Sequence, residues 1–555
     1  MENKGINGLL KTSNNQGWQG RWLGDENDLA VGQDALASAV MHVNRPLYVI
    51  DYQGQTAVAH TGEIVCGDLT SPDKGMPLHA FVPPLDPSDL GDATFKTDLG
   101  LKYAYVVGAM ANGITSTQMV KAAGSAGFIG FFGSGGLSLA QVREAISEVK
   151  QNCDDLPVGF NLIHSPNDPQ LEMAIADLYI QEGIRIVSAS AYLGMTLPLV
   201  YYRVKGIHQT DDGSIRCPNR VIAKVSRVEV ATKFFSPPPR KLLTQLVQMK
   251  KITEEEAQLA SHIPMAQDMT AEADSGGHTD NRPALSLLPT FMALRDACMK
   301  QYGYAAPLRI GLAGGIATPQ SIAAAFAMGA AYVLTGSINQ AAVEADTSKG
   351  VRQLLEQTQQ ADVIMAPAAD MFELGAKVQV LKRGTMFAMR AAKLYELYRT
   401  YDHYEAIPLP VRAMVERDIL RSGFDDAWNQ TADFFQTHDR SQIERANQDP
   451  KHKMALVFRS YLGLASLWAK HGDADRQIDY QIWCGPAMGA FNAWAKNSCL
   501  EKVDRRYVAD MATNLMYGAV GLIRCQWLRN QGIELDAASE LFHPQPAETL
   551  AAYLR

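Results

Sequence analysis

The chain has 555 residues, of which 47% are hydrophobic and 20% charged, and carries a net charge of −8. That length exceeds one ordinary core and predicts two or three globular domains. The acidic balance argues against general nucleic-acid binding. Seven scattered cysteines show no C-x-x-C spacing, so neither a disulfide framework nor a zinc site is suggested. Residues 1–20 are polar and rich in Asn, Gln and Gly, with no apolar signal segment, which predicts a cytoplasmic protein.

Residues 1–100 read as an entry region of mixed α and β structure. Within it, 46–51 and 55–59 are strands joined at Gln53 and Gly54, and 71–92, rich in Pro, Asp and Gly, reads as a linker or irregular strap. From Tyr103 short apolar runs alternate with helical spacing. Strands are predicted at 103–108, 128–132, 158–161, 185–188, 221–225, 268–273, 309–313 and 331–335, and helices at 115–126, 138–150, 169–182 and 319–328. Such alternation means βαβ units and a parallel sheet, and eight strands between residues 103 and 336 match the size of a (β/α)8 TIM barrel. The barrel is therefore expected over 101–345. Two insertions interrupt it: 201–218, a hairpin with Asp212 and Gly213 at its tip, and 237–260, a charged helical segment entered through three prolines. Both are candidates to cover the barrel mouth. After residue 345 the strand signal fades, and helical spacing at 391–404, 456–471 and 509–531 predicts a mainly helical region over 346–555.

The stretch 305–342 carries the strongest functional signal. A buried strand ends at Ala313, Gly314 and Gly315 make a tight turn, Thr318 and Pro319 open a helix, and a second strand ends at Gly336 and Ser337. This pattern matches the phosphate-binding end of a barrel, where backbone N–H groups face an anion and side chains would keep it away. A ligand-free βαβ unit is the plainer alternative. The uncharged run 310–343 is not a membrane span, because Gly314, Gly315, Pro319 and Gly329 interrupt it.

Active sites of such barrels lie at the C-terminal ends of the strands. There the sequence places Gly108, Ala109 and Met110, then Asn161, then Ser188 and Ser190, then Lys224 and Ser226. Gly276, Gly277 and His278 follow the sixth strand, and Gly314, Gly315, Gly336 and Ser337 follow the last two. The glycine-rich run 127–136 spans a strand and lacks a clean G-x-G-x-x-G, so it reads as strand packing plus a loop. Cys217 and Cys298 have no partner histidine in a motif and read as buried thiols.

Gly276-Gly277-His278 followed by Ala313-Gly314-Gly315-Ile316 resembles the FMN-dependent nitronate monooxygenase and enoyl reductase superfamily, as does Gly108-Ala109-Met110 leading into 122–130. The longer pattern, with residues 229–234, residues 273–283 and a helical tail, is similar to the PfaD family of trans-acting enoyl reductases of polyunsaturated fatty acid and polyketide synthases. The resemblance implies FMN at the barrel mouth, reduced by NADPH or NADH. It implies hydride delivery to the β-carbon of an enoyl group on an acyl carrier protein. Carried over by position, Gly108, Ala109 and Met110 would line the flavin, and Asn161 would hydrogen-bond its ring or tail. Ser188, Gly276, Gly277 and Ala313 would complete the pocket, Gly314, Gly315, Gly336 and Ser337 would hold the phosphate, and Lys224 would lie near the ring's electron-rich edge.

His278 is the candidate proton donor, because an imidazole gives or takes a proton near neutrality. Whether it protonates substrate or orients it stays open at this level, as does the role of Asp274, which with Ser275 replaces the superfamily's frequent Glu-Ala. The basic residues Lys377, Lys382, Arg383, Arg390, Lys393 and Arg399, against the single acid Glu396, suggest either a solvated face or a docking surface for an acidic carrier protein. The aromatic tail suits a homodimer interface. A nitronate-oxidising flavoenzyme and a non-catalytic scaffold are the alternatives.

Overall fold

The computed structural model describes residues 20–66, 75–153, 155–165, 168–535 and 542–554, so all but the last residue of the polar N-terminal stretch lie outside it. The chain forms two compact units, one of Met1–Leu90 with Thr513–Arg555 and one of Gly91–Ala512.

In the first unit six strands form an antiparallel sheet, in the order Ala30–Val31, Gln55–Ala59, Leu47–Tyr52, Met76–Val82, Gly20–Leu23, Glu63–Cys66. The expected hairpin is present, closed by Gln53 and Gly54 at φ 57° and 81°, the left-handed pair that a tight hairpin requires. The expected strap over 71–92 is corrected in part. Residues 71–74 lie outside the described residues, but Met76–Val82 is an interior strand whose Leu78, Ala80 and Val82 alternate inward. Pro77 disguises it, standing at the strand's start, where a missing N–H is tolerated. The tail also groups differently from the expected 346–555 region. Arg524 Nη1 donates to the carbonyls of Val43 (2.8 Å) and Pro83 (2.6 Å), and Tyr517 to that of Met41 (2.7 Å), so the last long helix is tied to the N-terminal segment by buried polar contacts.

In the second unit eight parallel strands close into a barrel. They are β1 (Tyr105–Val107), β2 (Ile129–Phe132), β3 (Val158–Ile163), β4 (Ile186–Ser190), β5 (Arg220–Val225), β6 (Asp268–Glu272), β7 (Arg309–Ala313) and β8 (Val333–Thr335). Each matches a predicted strand. Both faces are covered, so the strands are continuous apolar runs: every residue of β2, β7 and β8 is buried. Helices α1 (Thr117–Ser125), α2 (Leu139–Asn152), α3 (Pro169–Gln181), α4 (Leu197–Val204), α5 (Val228–Phe235), α6 (Ala284–Tyr302) and α7 (Pro319–Ala327) follow β1 to β7 in turn.

At the N-terminal end of the barrel Arg309 Nε and Nη2 grip Asp268 at 2.6 and 3.0 Å, and Nη1 reaches Asp98 at 3.0 Å. Both Arg309 and Asp268 side chains are 2% exposed. Removing one partner strands the other charge in the core, so Arg309→Met is expected to lower stability by about 3–5 kcal/mol, read by denaturant unfolding. This pair sits opposite the mouth, where a barrel's stabilising residues belong.

The two insertions do not cover the mouth. Each lies between a helix and the next strand, which is the N-terminal side of a (β/α)8 barrel. The hairpin is confined to His208–Gln209 and Ile215–Arg216, because Tyr201–Val204 extends helix α4 behind the Thr196 cap. The second insertion forms helices Arg240–Gln248 and Glu254–Ala260, tied to the first by Glu256, which accepts from the Gly206 N–H at 2.6 Å and pairs with Lys205 at 3.3 Å.

Beyond the barrel the region is helical, built on Phe387–Thr400, Phe424–His438, Arg440–Gln448 and Pro450–His471 around Phe387, Leu394, Phe458 and Tyr461. It also contains two strands that the sequence did not show, Val363–Pro367 and Lys377–Leu381. They pair antiparallel with each other, and the second pairs with Gly277–His278.

Candidate active site

The loop after β1 is held from several sides. The Gly108 N–H donates to the Thr335 carbonyl (2.9 Å), Thr115 Oγ1 donates to the Gly108 carbonyl (2.9 Å), and the Met110 N–H donates to Thr115 Oγ1 (2.9 Å). Gly133, at the end of β2, must lack a side chain, since a Cβ would stand 1.7 Å from the Met110 carbonyl oxygen. Ala109 and Met110 are left half-buried at the C-terminal end of β1. Lys470, from the helical region, donates to the Asn112 carbonyl at 2.5 Å and so supports this loop.

Asn161 and Ser188 are cross-strand neighbours on β3 and β4, both buried. The Asn161 amide donates to the Ser188 carbonyl (2.8 Å) and to Ser190 Oγ (3.0 Å), leaving Oδ1 as the atom able to accept from a ligand. Its carbonyl accepts from Tyr179 (2.8 Å) and Ser134 (2.5 Å), which locks it in place. Lys224 on β5 lies 3.0 Å from Glu272 Oε1 on β6, so its charge is shared with a protein carboxylate. Ser275 donates to the same oxygen at 3.2 Å.

At β7 and β8 the glycines separate into two kinds. Gly314 (φ 85°) closes against β6: a Cβ there would stand 2.5 Å from the Ala273 carbonyl carbon, and the Ala313 carbonyl accepts from the Ala273 N–H at 2.8 Å. Gly315 and Gly336 open outward, with no atom within 4 Å of an added Cβ. Among the described residues their N–H groups and that of Ser337 donate to no protein acceptor; Gly336 and Ser337 open a short helix, where such groups lack an intrahelical partner. Ser337 Oγ accepts from the Gly485 N–H (3.0 Å), which leaves its hydrogen free to donate outward. Open space bordered by free N–H groups suits an anion.

His278 stands apart from this cluster, on the short strand over the mouth. Its side chain is 44% exposed and its Nε2 lies 3.2 Å from Asp370 Oδ1. Burial alone would raise the Asp370 carboxyl, yet the hydrogen bond and charge of His278 hold it below its ordinary value. Gly276 allows a backbone crossing, because a Cβ would stand 2.9 Å from Cys484 and Gly485 backbone atoms. Asp274 has a structural answer: its carboxylate accepts from Gln379 and Asn281, each at 2.8 Å, and so fixes the Gly-Gly-His turn to the strand above it. The Cys484 thiol is buried and its pKa pushed up to about 12, so it is unreactive.

Next to the turn, Arg227 donates to both oxygens of Asp280 (2.9 and 2.8 Å) and Ser226 to one of them (2.5 Å). The Arg227 hydrogen bond, against partial burial, holds the Asp280 carboxyl at about 2. A carboxylate depressed on folding adds stability above its unfolded value near ~3.9, and that contribution is lost as pH falls toward about 2. Asp280→Asn should therefore lose stability less steeply with acid over this window than the parent chain, as scanning calorimetry would read.

The sequence did not single out Thr115, Glu272, Asp370, Gln379 or Gly485. Only Glu272 carried a signal, an acid at the end of a predicted strand.

Residues 93–400, more than half of the chain, match the family described as nitronate monooxygenase, and residues 22–84 match the PfaD N-terminal domain of a fatty acid synthase subunit. The chain belongs to the nitronate monooxygenase family, on its PfaD branch. Residues 401–480 match the inserted helical domain of acyl-carrier-protein S-malonyltransferases. Among solved structures, this PfaD-type chain is similar to the enoyl reductase domain of MlnA from the macrolactin cluster of Bacillus amyloliquefaciens. The two are 39% identical with a TM-score of 0.76, over 80% of this chain and 99% of that one. It is also 41% identical, over 94% of its length, to a subunit of the polyunsaturated fatty acid synthase of a Thraustochytrium species, and 46% identical over 77% to the polyketide biosynthesis protein PksE of Bacillus subtilis. It spans 35% and 55% of those two proteins.

Proposed function

We propose that the chain is an FMN-dependent enoyl reductase that acts in trans on 2-enoyl groups carried by an acyl carrier protein of a fatty acid or polyketide synthase. The observation that carries this reading is one barrel mouth holding an open anion cradle at Gly315, Gly336 and Ser337 together with the overhanging His278. The cradle fits the FMN phosphate, because nothing in the protein fills it and its donors are free. Asn161 Oδ1 would accept from the ring, and the Gly108–Met110 backbone would line one face. Bound there, FMN would supply the hydride-transfer chemistry that links a nicotinamide reductant to the β-carbon of an enoyl thioester. The chain's own part is to hold substrate under His278, exclude water beneath the strand Gly277–His278, and place an imidazole proton near the α-carbon. Asp370, 3.2 Å from Nε2, would orient the ring.

Support for the substrate class is the MlnA domain, an enoyl reductase by name, almost the whole of which aligns with this chain. Carrier-protein docking has a basic face available, although a reduced one. Arg390 turns inward to Asp479, while Arg383 pairs with Asp362 and Lys393 with Glu396, which leaves Lys377, Lys382 and Arg399 exposed. A nitronate-oxidising activity is the second reading, favoured by the family match over residues 93–400. Steady-state assays separate the two. NADPH oxidation that depends on a trans-2-enoyl thioester supports the first, and oxygen uptake driven by a nitronate without NADPH would replace it with the second.

A further inference from the structure

Outside the flavin cradle the chain has a second polar opening at the same end of the barrel. A cavity of about 390 Å³ lies between the starts of α5 and α6. Its walls include Ser226, Arg227, Glu229, Arg282, Ser286 and Thr290. That volume falls in the ~300–1,000 Å³ range of small-molecule pockets. It opens where β5 and β6 end, whereas the flavin cradle lies where β7 and β8 end, so the two do not compete for one anion.

The charge on these walls is arranged, not incidental. Asp280 grips Arg227 through two hydrogen bonds, which fixes one guanidinium at the rim. Arg282 is exposed and forms no ion pair within 4 Å among the described residues; its charge acts on Asp280, whose hydrogen bonds go to Arg227 and Ser226 instead. Its position is nevertheless set, because its carbonyl accepts from the Asp274 N–H at 3.0 Å, inside the turn that carries His278. Helices α5 and α6 both begin here without a side-chain cap, which adds to the positive potential. An exposed guanidinium with no hydrogen-bonded carboxylate of its own is a ready partner for a phosphate oxygen pair. Glu229, on the same wall, suits an N–H or O–H donor on the stem that carries the phosphate.

We infer that this cavity is a phosphate-ester subsite, with Arg282 as its principal anchor, that positions one of the two reagents of the proposed reduction. The inference rests on the enoyl reductase reading for its choice of ligand. Both reagents carry the required chemistry: a thioester substrate through the phosphate of its pantetheine arm, whose amides would meet Glu229, and NADPH through its 2′-phosphate, whose ribose hydroxyl would do the same.

The test needs no turnover. Calorimetric titration of the flavin-loaded full chain compares phosphopantetheine with pantetheine, and 2′-AMP with adenosine. In one pair the phosphorylated member should bind about tenfold or more tightly, and Arg282→Gln should erase that difference, as loss of a charge-assisted hydrogen bond predicts. A response in the first pair makes the cavity the pantetheine-arm site; a response in the second makes it the reductant site. If phosphate gives no advantage in either pair, or if Arg282→Gln leaves the advantage intact, the subsite is overturned. Phosphate-dependent binding in a chain that fails to reduce enoyl thioesters would keep the subsite and remove the reaction. Because Arg282 is exposed, the substitution leaves the fold intact, and an unchanged melting temperature checks this.

Discussion

Replacing His278 by alanine is expected to slow the reduction of an enoyl thioester by about 100-fold or more, the contribution of a positioned general acid, while bound flavin and its reduction by NADPH are unchanged. The separation follows from where the side chain sits. His278 is on the strand above the mouth, half-exposed, and its side chain is tied to Asp370. Nothing in the Gly315–Gly336 cradle touches it, so flavin affinity has no reason to fall. Asp370→Asn should produce a smaller slowing, because the ring then loses the carboxylate that lies 3.2 Å from Nε2 and orients it. Rapid-mixing measurement of the two half-reactions checks both variants. A residue with only a structural role would instead lower flavin content and melting temperature together.

The second large effect contrasts Gly336 of the cradle with Gly314, which packs against β6. Gly336→Val is expected to leave the melting temperature of the flavin-free chain close to the parent's while weakening FMN binding by roughly 100-fold or more. A Cβ added at Gly336 meets no protein atom within 4 Å, and its φ lies outside the left-handed region, so a side chain has room to start there. The space it fills is the space proposed for the phosphate, and each charged hydrogen bond lost there costs about 1.5–3 kcal/mol. Gly314→Ala should behave in the opposite way. At φ 85°, with a Cβ 2.5 Å from the Ala273 backbone, it should destabilise the chain by about 2 kcal/mol or more before any ligand is considered. Flavin titration with parallel thermal melts distinguishes the two outcomes.

The barrel was legible because parallel strands covered on both faces read as short apolar runs closed by glycine or a polar residue, as at Arg309–Ala313 before Gly314. The strand-end glycines were legible for the same reason. What lies above them was not. Gly277–His278 is too short for a strand pattern, and its partner Lys377–Leu381 lies about a hundred residues on, so only tertiary pairing reveals it. Asp370 sits between two strands whose pattern the surrounding helical spacing of 346–555 conceals, and Gly485 reaches Ser337 across a similar gap. Met76–Val82 was hidden by its proline. The insertions are visible as interruptions, and their place after a helix and before a strand, not their charge or length, sets them at the end of the barrel away from the mouth. The second arginine-lined opening had no periodic signature, since its walls come from separate segments.

The central claim is that one mouth binds a flavin, accepts reducing equivalents from a nicotinamide and delivers them to an enoyl thioester. Its most direct test is anaerobic stopped-flow on the flavin-loaded chain, following oxidised flavin absorbance near ~450 nm, the cofactor's own chromophore. NADPH should bleach the band, and a trans-2-enoyl thioester added next should restore it rapidly in the parent chain and slowly in His278→Ala. Bleaching that persists with the thioester and recovers only when oxygen enters would contradict the claim.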